Sequence, residues 1–231
     1  MVSKDISYIP VSNCYIAVED FMGDDLSVVN TARVSFNKKS DYKDLITKQL
    51  KSRDIKLIKF LAREGHTSPF RHQFVRFRVK APIFVIRQWA KHQIGCAWNE
   101  ASGRYIKFTP EFFEVDYFRG APEGSVKQGS SGPLQYQEQL QKTYKTFCEH
   151  AYLTYTNMLE QGVCKEQARM ILPHSLLTEF IFTASLQAIC HFLNQRLDSH
   201  SQYEIRLFAR AIWYAVKDIF PVSIESLVTI D

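Results

Sequence analysis

Residues 91–105, KHQIGCAWNEASGRY, bring together many groups that could bind a ligand. Cationic side chains at Lys91 and Arg104, an imidazole at His92 and a carboxylate at Glu100 follow the apolar run APIFVI and a tryptophan. Cations attract anionic groups, whereas a carboxylate accepts hydrogen bonds from hydroxyl groups. The stretch therefore predicts a loop that binds a charged small molecule.

The tripeptide Ser102-Gly103-Arg104 offers a hydroxyl, a glycine backbone N–H and a guanidinium in succession. This set suits a phosphate, because glycine permits close approach and arginine can chelate two oxygens. Glu100 would repel a phosphate, but it can accept hydrogen bonds from ribose hydroxyls. The order of the residues is that expected for a nucleotide lying across the loop. The alternative is an ordinary Ser-Gly-Arg turn.

The segment before this loop predicts a helix that starts at Pro82 and ends near Gly95. One side of its wheel carries four polar residues, Arg87, Gln88, Lys91 and His92. The repulsion between Arg87 and Lys91, four residues apart, costs roughly 0.2–0.5 kcal/mol. An anionic ligand bound over this face would attract both cations and so turn the unfavourable energy into a favourable one. A solvated basic face is the alternative, and it is favoured for this helix alone.

The run APIFVIRQWAKHQIGCAWNEASGRY resembles the flavin-dependent thymidylate synthases. Their signature is Arg-His-Arg, seven residues and Ser, within a longer pattern that includes RQW and NExSxRY. This chain has Lys91-His92-Gln93, and eight residues separate Gln93 from Ser102. It keeps one member of the triplet, whereas RQW and NEASGRY match well.

Four other segments extend the resemblance in the family's order. They are DDLSVVNTARVSF (24–36), LAREGHTSPFRHQFVRFRVKAP (61–82), KEQARMILP (165–173) and FLNQRLDSHSQYEIR (192–206). The family often has Glu where Arg71 stands here. Arg196 corresponds to the arginine that acts on the pyrimidine ring, and an ion pair with Asp198 is the alternative role for it.

The resemblance implies two sets of site residues. The expected dUMP-binding residues are Gln88, Trp89, Lys91, Glu100, Ala101, Ser102, Gly103, Arg104, Arg169 and Arg196, with Arg196 catalytic. The expected FAD-binding residues are His66, Ser68, Lys91, His92, Gln93, Glu100, Ser185, Gln187 and His191. No metal site is expected.

The resemblance also implies the reaction and the assembly. In the family, dUMP becomes dTMP, methylenetetrahydrofolate donates the carbon, and NADPH reduces FAD. The implied protein is a homotetramer with shared active sites. The implied fold is α/β (α+β): one mixed domain over residues 1–231, with a central, largely antiparallel sheet flanked by long helices and a loop insert at about 119–133.

Local patterns support a mixture of helices and strands. Strands are predicted at 14–23 and 73–81, the latter with one apolar and one basic face. Helices are predicted at 24–36 with Asp24 or Asp25 as the cap, and at 41–65, 140–159 and 163–172. A last helix is predicted at 199–220, with Ser201 and Glu204 as a capping box.

Composition limits the classes of protein to which the chain can belong. The chain has 231 residues, a net charge of +5 and a pI near 8.9, which favours anionic partners. Five scattered cysteines without a CxxC pair favour reduced thiols in a cytoplasmic protein. No apolar signal segment is visible at the N-terminus. The most membrane-like window, 170–190, contains Glu179 and is expected to be buried core rather than membrane-spanning.

Three rival functions are open. A basic nucleic-acid-binding protein fits the charge and the mixture of aromatic and basic residues around 71–91, but the chain lacks the usual motifs of that class. A metal hydrolase is disfavoured because no HExxH pair exists. A homologue that has lost catalysis fits the altered triplet. We expect binding of small molecules, and no binding of nucleic acid or membrane.

Overall fold

One antiparallel five-stranded sheet organises the protein in the computed structural model, which describes residues 6–9, 11–105, 109–122, 124 and 129–229. The strands are β1 (Ile6–Tyr8), β2 (Tyr15–Met22), β3 (Phe74–Pro82), β4 (Cys96–Glu100) and β5 (Leu177–Ser185), in the order β1-β2-β3-β5-β4. The helices of these residues are α1 (Asp25–Arg33), α2 (Ser52–Arg63), α3 (Ile83–Trp89), α4 (Gln137–Glu160), α5 (Lys165–Ala168), α6 (Leu186–Arg196), α7 (Tyr203–Ile219) and α8 (Pro221–Leu227). The predicted mixed α/β fold with an antiparallel sheet is confirmed.

The centre of the sheet has one buried face and one charged face. On β3, Val75, Phe77 and Val79 are buried, whereas Arg76 and Arg78 are exposed, as the alternating pattern predicts. Phe77 lies opposite Phe182 of β5 in the register. On the charged face, Arg78 forms salt bridges at 2.7 Å with both Glu19 and Glu179.

Trp89 is at the centre of the core on the buried face. Its ring lies 4.8 Å from that of Phe192 and between 5.3 and 6.1 Å from those of Phe180, Phe182 and Phe208. The window 170–190 forms β5 and the start of α6 and contributes to this core, as predicted. None of the helices that the structure describes is long and apolar enough to cross a bilayer.

The first helix begins as its sequence predicts. Gly23 has a positive φ of 87°, and the Asp24 side chain then accepts a hydrogen bond from the Ser27 backbone at 3.0 Å. Ser27 Oγ accepts one in return from the Asp24 backbone, so both members of a capping box are satisfied. The α-helix ends at Arg33, and residues 34–36 form a 3-10 turn instead of continuing it.

The prediction of a helix over 41–65 is wrong in its first half, since α2 begins only at Ser52. The Asp44 side chain accepts hydrogen bonds from the backbone of Ile46 (2.8 Å) and Thr47 (3.1 Å), which folds the chain into a local turn. Lys48 has a positive φ of 52°, which a helix does not allow. Leu45 and Ile46, expected on an apolar helix face, are exposed.

Two further predicted boundaries are wrong near the binding loop. The helix from Pro82 ends at Trp89 rather than near Gly95, and residues 96–100 form the unpredicted edge strand β4. Gly95 has a positive φ of 75°, and a Cβ there would lie 2.8 Å from Ser185 Oγ. This position therefore requires glycine at the turn into the strand.

The last long helix starts at Tyr203, and its predicted capping box is absent. Ser201 Oγ donates to the Gln195 carbonyl at 2.7 Å, while the Glu204 carboxylate pairs with Arg119. The predicted helices at 140–159 and 163–172 correspond to α4 and to α5 with a following 3-10 turn at Arg169–Ile171. The two ends of the insert at 119–133 pair with each other through Gly120 and Gly132, and its residues 123 and 125–128 lie outside the described residues.

Candidate active site

Arg196, at the end of α6, lines a polar cavity of about 1300 Å³. Its Nε donates a hydrogen bond to Nε2 of His92 at 3.0 Å. His92 follows α3 and is 8 % exposed, with its ring edge-on to Phe192 at 5.1 Å. The structure therefore brings the predicted catalytic arginine together with the histidine of the altered triplet.

Arg196 has no carboxylate partner among the described residues. Asp198, the alternative partner considered for it, instead accepts from the backbone and ring of His200 at 2.7 and 3.0 Å. The guanidinium thus keeps an uncompensated charge at the cavity wall. Partial burial lowers the pKa of Arg196 from its ordinary value, but arginine stays protonated in proteins.

Gln88, Gln202 and Arg119 also line the cavity, and a row of hydrogen bonds through Glu204 connects them. Gln88 donates to Gln202, Gln202 donates to Glu204 at 2.8 Å, and Arg119 pairs with Glu204 at 2.6 Å. Of these four residues, only Gln88 was predicted from the sequence. Arg119 comes from the insert, and no local pattern distinguishes it from the other surface arginines.

Tyr203 and Arg206 also line the cavity and were not predicted. The guanidiniums of Arg119 and Arg206 lie 4.9 and 5.7 Å from the centre of the Tyr203 ring. Arg206 Nε is buried without a hydrogen-bond partner in the described part of the chain. Together with Arg196, these groups give the cavity a cationic and aromatic lining, which suits an anionic ligand with a flat ring.

The position of Trp89 argues against its predicted contact with the nucleotide. Its side chain is 0 % exposed and is surrounded by the aromatic core described above. A fully buried ring cannot touch a ligand in the cavity. Trp89 instead supports the end of α3, immediately before the turn that carries His92.

The predicted phosphate-binding residues lie at the end of β4. The Ala101 backbone donates a hydrogen bond to the Glu179 carbonyl at 2.9 Å, so the chain stays beside β5 for one residue beyond β4. The side chain of Glu100, the last residue of β4, is exposed. Ser102 Oγ then accepts from the Arg104 backbone at 3.3 Å, and the Arg104 guanidinium lies 5.1 Å from the Tyr105 ring. The structure thus forms a compact Ser-Gly-Arg turn.

Arg169 belongs to the neighbouring segment on this side of the molecule. Lys165 Nζ, one turn before it, donates to the Tyr105 carbonyl at 2.9 Å and so ties α5 to the Ser-Gly-Arg turn. Arg169 is exposed and makes only a long hydrogen bond, 3.4 Å, to the Glu166 carbonyl. Within the described residues, neither Ser102, Arg104 nor Arg169 lines the cavity of Arg196.

The predicted flavin contacts from two distant segments are neighbours. His66 and Ser68 are exposed at the 3-10 turn Ser68–Arg71, where Arg71 Nε donates to Gln187 Oε1 at 2.6 Å. Arg71 Nη2 also donates to Thr67 Oγ1 at 3.0 Å. This bridge joins the turn to the first residues of α6.

The other predicted flavin residues flank this area. Lys91, Gln93 and His191 are exposed, and His191 lies 5.9 Å from the His92 ring. Ser185 is buried, and its Oγ accepts from the Ala188 backbone at 3.3 Å as the cap of α6. The Ser185 side chain therefore has a structural task. Lys91, Gln93 and His191 are exposed to a ligand, and the His191 ring also contacts Gln195 Nε2 at 3.1 Å.

These donors fit a flavin dinucleotide. Arg71, Lys91 and the hydroxyls of Thr67 and Ser68 are cationic or neutral donors, as a pyrophosphate requires. Glu100 is the one carboxylate in the predicted set, and a ribose hydroxyl can donate to it. The charge and the donors of these residues are thus compatible with a dinucleotide cofactor.

Two titratable side chains of the segment 91–105, His92 and Cys96, are held in neutral states. Burial, the Arg196 charge and His191 lower the pKa of His92 to about 4. His92 Nε2 is then an unprotonated acceptor at neutral pH, in agreement with the hydrogen bond from Arg196. Burial raises the pKa of the Cys96 thiol to about 11, so this cysteine is not a thiolate.

Comparisons with known proteins show the family of the chain. The family model described as thymidylate synthase complementing protein matches residues 17–222. A flavin-dependent thymidylate synthase of Thermus thermophilus is 42% identical over 209 residues, 90% of this chain and 73% of the relative. That of Thermotoga neapolitana is 38% identical over 214 residues, 93% of this chain and 90% of the relative.

A solved structure has the same fold. The UMP/dUMP methylase PolB from Streptomyces cacaoi, bound with 5-Br dUMP, superimposes with a TM-score of 0.82 at 28% identity and covers 93% of this chain and 94% of that one. The family match spans most of the chain, and the two relatives share more than a third of their aligned residues with it. The chain therefore belongs to the family of flavin-dependent thymidylate synthases.

Proposed function

We propose that the protein converts dUMP to dTMP with methylenetetrahydrofolate as carbon donor, and that Arg196 polarises the uracil ring. Family membership already makes the chain a flavin-dependent enzyme of dUMP methylation. The observation that carries the role of Arg196 is its uncompensated guanidinium at the wall of a polar cavity.

The chemistry of the ring explains why a guanidinium is needed. Carbon 5 of uracil is a poor nucleophile, and negative charge on the N3/O2 edge makes the ring resemble an enolate. A planar, permanently charged group facing that edge stabilises this charge. One preorganised donor in a site that excludes water contributes on the order of 3–4 kcal/mol. Arg196 keeps its full positive charge for the ring because its hydrogen-bond partner, His92, is neutral.

No protein nucleophile is required by this scheme. Cys96 is the thiol closest in sequence to the triplet, and its high pKa keeps it protonated. Its Sγ lies 3.7 Å from the Ile94 carbonyl, within the turn that leads into β4. A small structural side chain accounts for this position.

For the nucleotide phosphate we propose Ser102, Gly103, Arg104 and Arg169, with Gln88 and Glu100 near the base and ribose. Gln88 is beside Arg196 in the cavity, whereas the Ser-Gly-Arg turn contacts Lys165 on another part of the surface. A homotetramer with shared active sites explains this separation, since the turn of one protomer then completes the cavity of another. We propose that assembly for the protein.

For FAD we propose the surface formed by His66, Ser68, Lys91, His92, Gln93, Gln187 and His191. When bound, FAD that has been reduced by NADPH supplies the reducing equivalents of the methylation. The protein's residues bind and orient the cofactor and the nucleotide. We further propose that residues 1–231 act as one catalytic domain and work in the cytoplasm, where the five free cysteines would stay reduced.

The test is a product assay on the flavin-loaded protein. Purified protein is incubated with dUMP, methylenetetrahydrofolate and NADPH, and dTMP is measured by chromatography. We expect dTMP formation that requires all three substrates and bound flavin. Protein that binds flavin and dUMP but forms no dTMP would be a homologue without catalysis. Protein that binds neither ligand would rule out the proposed site.

A further inference from the structure

His92 and Arg196 form a contact of unusual chemistry. Arginine has five N–H donors, and the bond from Nε to His92 occupies one of them. The donors on the two terminal nitrogens remain available at the cavity. The hydrogen bond at Nε orients the guanidinium and leaves both terminal nitrogens available to a ligand.

The groups that face His92 are Arg196, His191 and the Phe192 ring, all of α6. No carboxylate among the described residues pairs with either member of the contact. Arg119, at the same cavity, shows the usual alternative because its charge is compensated by Glu204 at 2.6 Å. Of the three arginines that line the cavity, Arg119 is paired with a carboxylate, whereas Arg196 and Arg206 form no salt bridge within the described residues.

We propose that His92 is a positioning residue that orients Arg196 through a neutral hydrogen bond, so that the full guanidinium charge faces the pyrimidine ring. An aspartate or glutamate in its place would orient the guanidinium equally well, but it would cancel part of the charge that the ring needs. This inference rests on the proposed role of Arg196. It explains why a histidine, rather than an aspartate or a glutamate, suits position 92.

The protonation state of His92 follows from the same geometry. Burial and the charge of Arg196 both disfavour imidazolium, and His191 acts in the same direction when it is protonated. Protonation would put a donor opposite a donor and break the bond. His92 thus remains an acceptor across the neutral range.

The test uses 5-fluoro-dUMP as the probe, because the electron-withdrawing fluorine lowers the pKa of the ring N3–H into a range accessible to titration. The ultraviolet spectrum of the complex is followed against pH, and the N3 pKa of the bound probe is compared with that of the free nucleotide. This readout needs no turnover. In the wild type we expect the bound pKa to be lowered, since a nearby cation stabilises the anion.

Three variants separate orientation from charge. His92→Gln keeps a neutral acceptor and should preserve the lowered N3 pKa. His92→Glu keeps an acceptor but adds a negative charge, and should raise the N3 pKa by about one unit or more, which is a tenfold change in ionisation. His92→Phe removes the acceptor and should lose part of the shift. The matched control is His150→Gln, on the exposed surface of α4, which should behave as the wild type.

The outcomes distinguish this proposal from the one on which it rests. An N3 pKa that is equal in wild type and His92→Glu, with both proteins folded and binding the probe, would overturn the role of His92. A lowered pKa that persists in Arg196→Ala would show that Arg196 does not face the ring, and both assignments would fail. Calorimetric binding of dUMP and the dTMP assay test the function itself independently of these shifts.

Discussion

Arg119 of the insert and Glu204 of α7 form a salt bridge, with Nη2 and Oε1 2.6 Å apart and side chains that are 20 % and 10 % exposed. The Glu204 carboxylate also accepts from Gln202 at 2.8 Å. One carboxylate thus connects the insert, the last long helix and the row of glutamines that ends at Gln88. This contact fixes a wall of the cavity that contains Arg196.

Arg119→Ala should therefore destabilise the protein and weaken nucleotide binding. The pair is mostly buried, so its loss should lower the free energy of unfolding by about 1–3 kcal/mol, between the values typical of exposed and of buried pairs. Urea denaturation measures this change. Arg210→Ala, an exposed position of α7, is the control, and equal stability of the two variants would contradict the structural role of the bridge.

Arg196→Ala should keep its bound flavin and lose most of its turnover. Removal of one preorganised charge at the ring is expected to lower kcat by about 10²–10³-fold, because a single donor of this kind contributes on the order of 3–4 kcal/mol. Flavin content is read from the visible spectrum and turnover from dTMP formation. A variant with near-normal turnover would refute the role proposed for Arg196.

Gln93→Arg should raise the midpoint potential of the flavin. Gln93 is exposed and neutral, and an added cation there would stabilise the anionic reduced flavin relative to the oxidised form. Screening by water limits the effect to about 5–20 mV for a two-electron couple. Spectroelectrochemical titration measures it, with Gln161→Arg, beyond the end of α4, as the control. Identical potentials in wild type and Gln93→Arg would place residue 93 away from the flavin.

Cys96→Ala should remain active. The thiol is protonated at neutral pH, and Cys96 is the first residue of β4, where its Sγ contacts the Ile94 carbonyl. We expect kcat within about twofold of the wild type, since removing one partly buried sulfur costs little where nothing reacts with it. Complete loss of dTMP formation in a folded, flavin-bound variant would point to a nucleophilic cysteine.

His92 should also make the stability of the protein depend on pH. Its pKa is lowered in the folded state, to about 4, so its contribution is fully present above the ordinary histidine pKa of 6.5 and is lost as the pH falls towards 4. His92→Gln cannot titrate, and its free energy of unfolding should fall less between pH 6.5 and 4.5 than that of the wild type. Parallel pH profiles for the two proteins would contradict the neutral, buried imidazole.

The local patterns in the sequence were most informative where one short segment determines its own structure. The capping box at Asp24, the alternating faces of β3 and the long helix α4 all follow from spacing within a single element. The resemblance to a family added the order of the segments, which composition and periodicity do not contain.

Contacts between distant segments were less predictable. Glu204 is correctly spaced to cap a helix with Ser201, yet its carboxylate pairs with Arg119, 85 positions earlier in the chain. The predicted helix over 41–65 does not form around Asp44, because its side chain accepts hydrogen bonds from the backbone two and three residues ahead. Gln88 lines the cavity, but the ring of the next residue, Trp89, is buried in the core and not at the site. The outcomes at Glu204 and Trp89 depend on tertiary placement, whereas the turn at Asp44 is local and competes with the helix within one segment.

The most direct measurement for the account as a whole is the formation of dTMP by the purified, flavin-loaded protein supplied with dUMP, methylenetetrahydrofolate and NADPH. We predict dTMP in amounts that exceed the enzyme concentration many times, and none when dUMP, the folate or NADPH is left out. Bound flavin and bound dUMP without any dTMP above the protein-free control would contradict the proposed methylation.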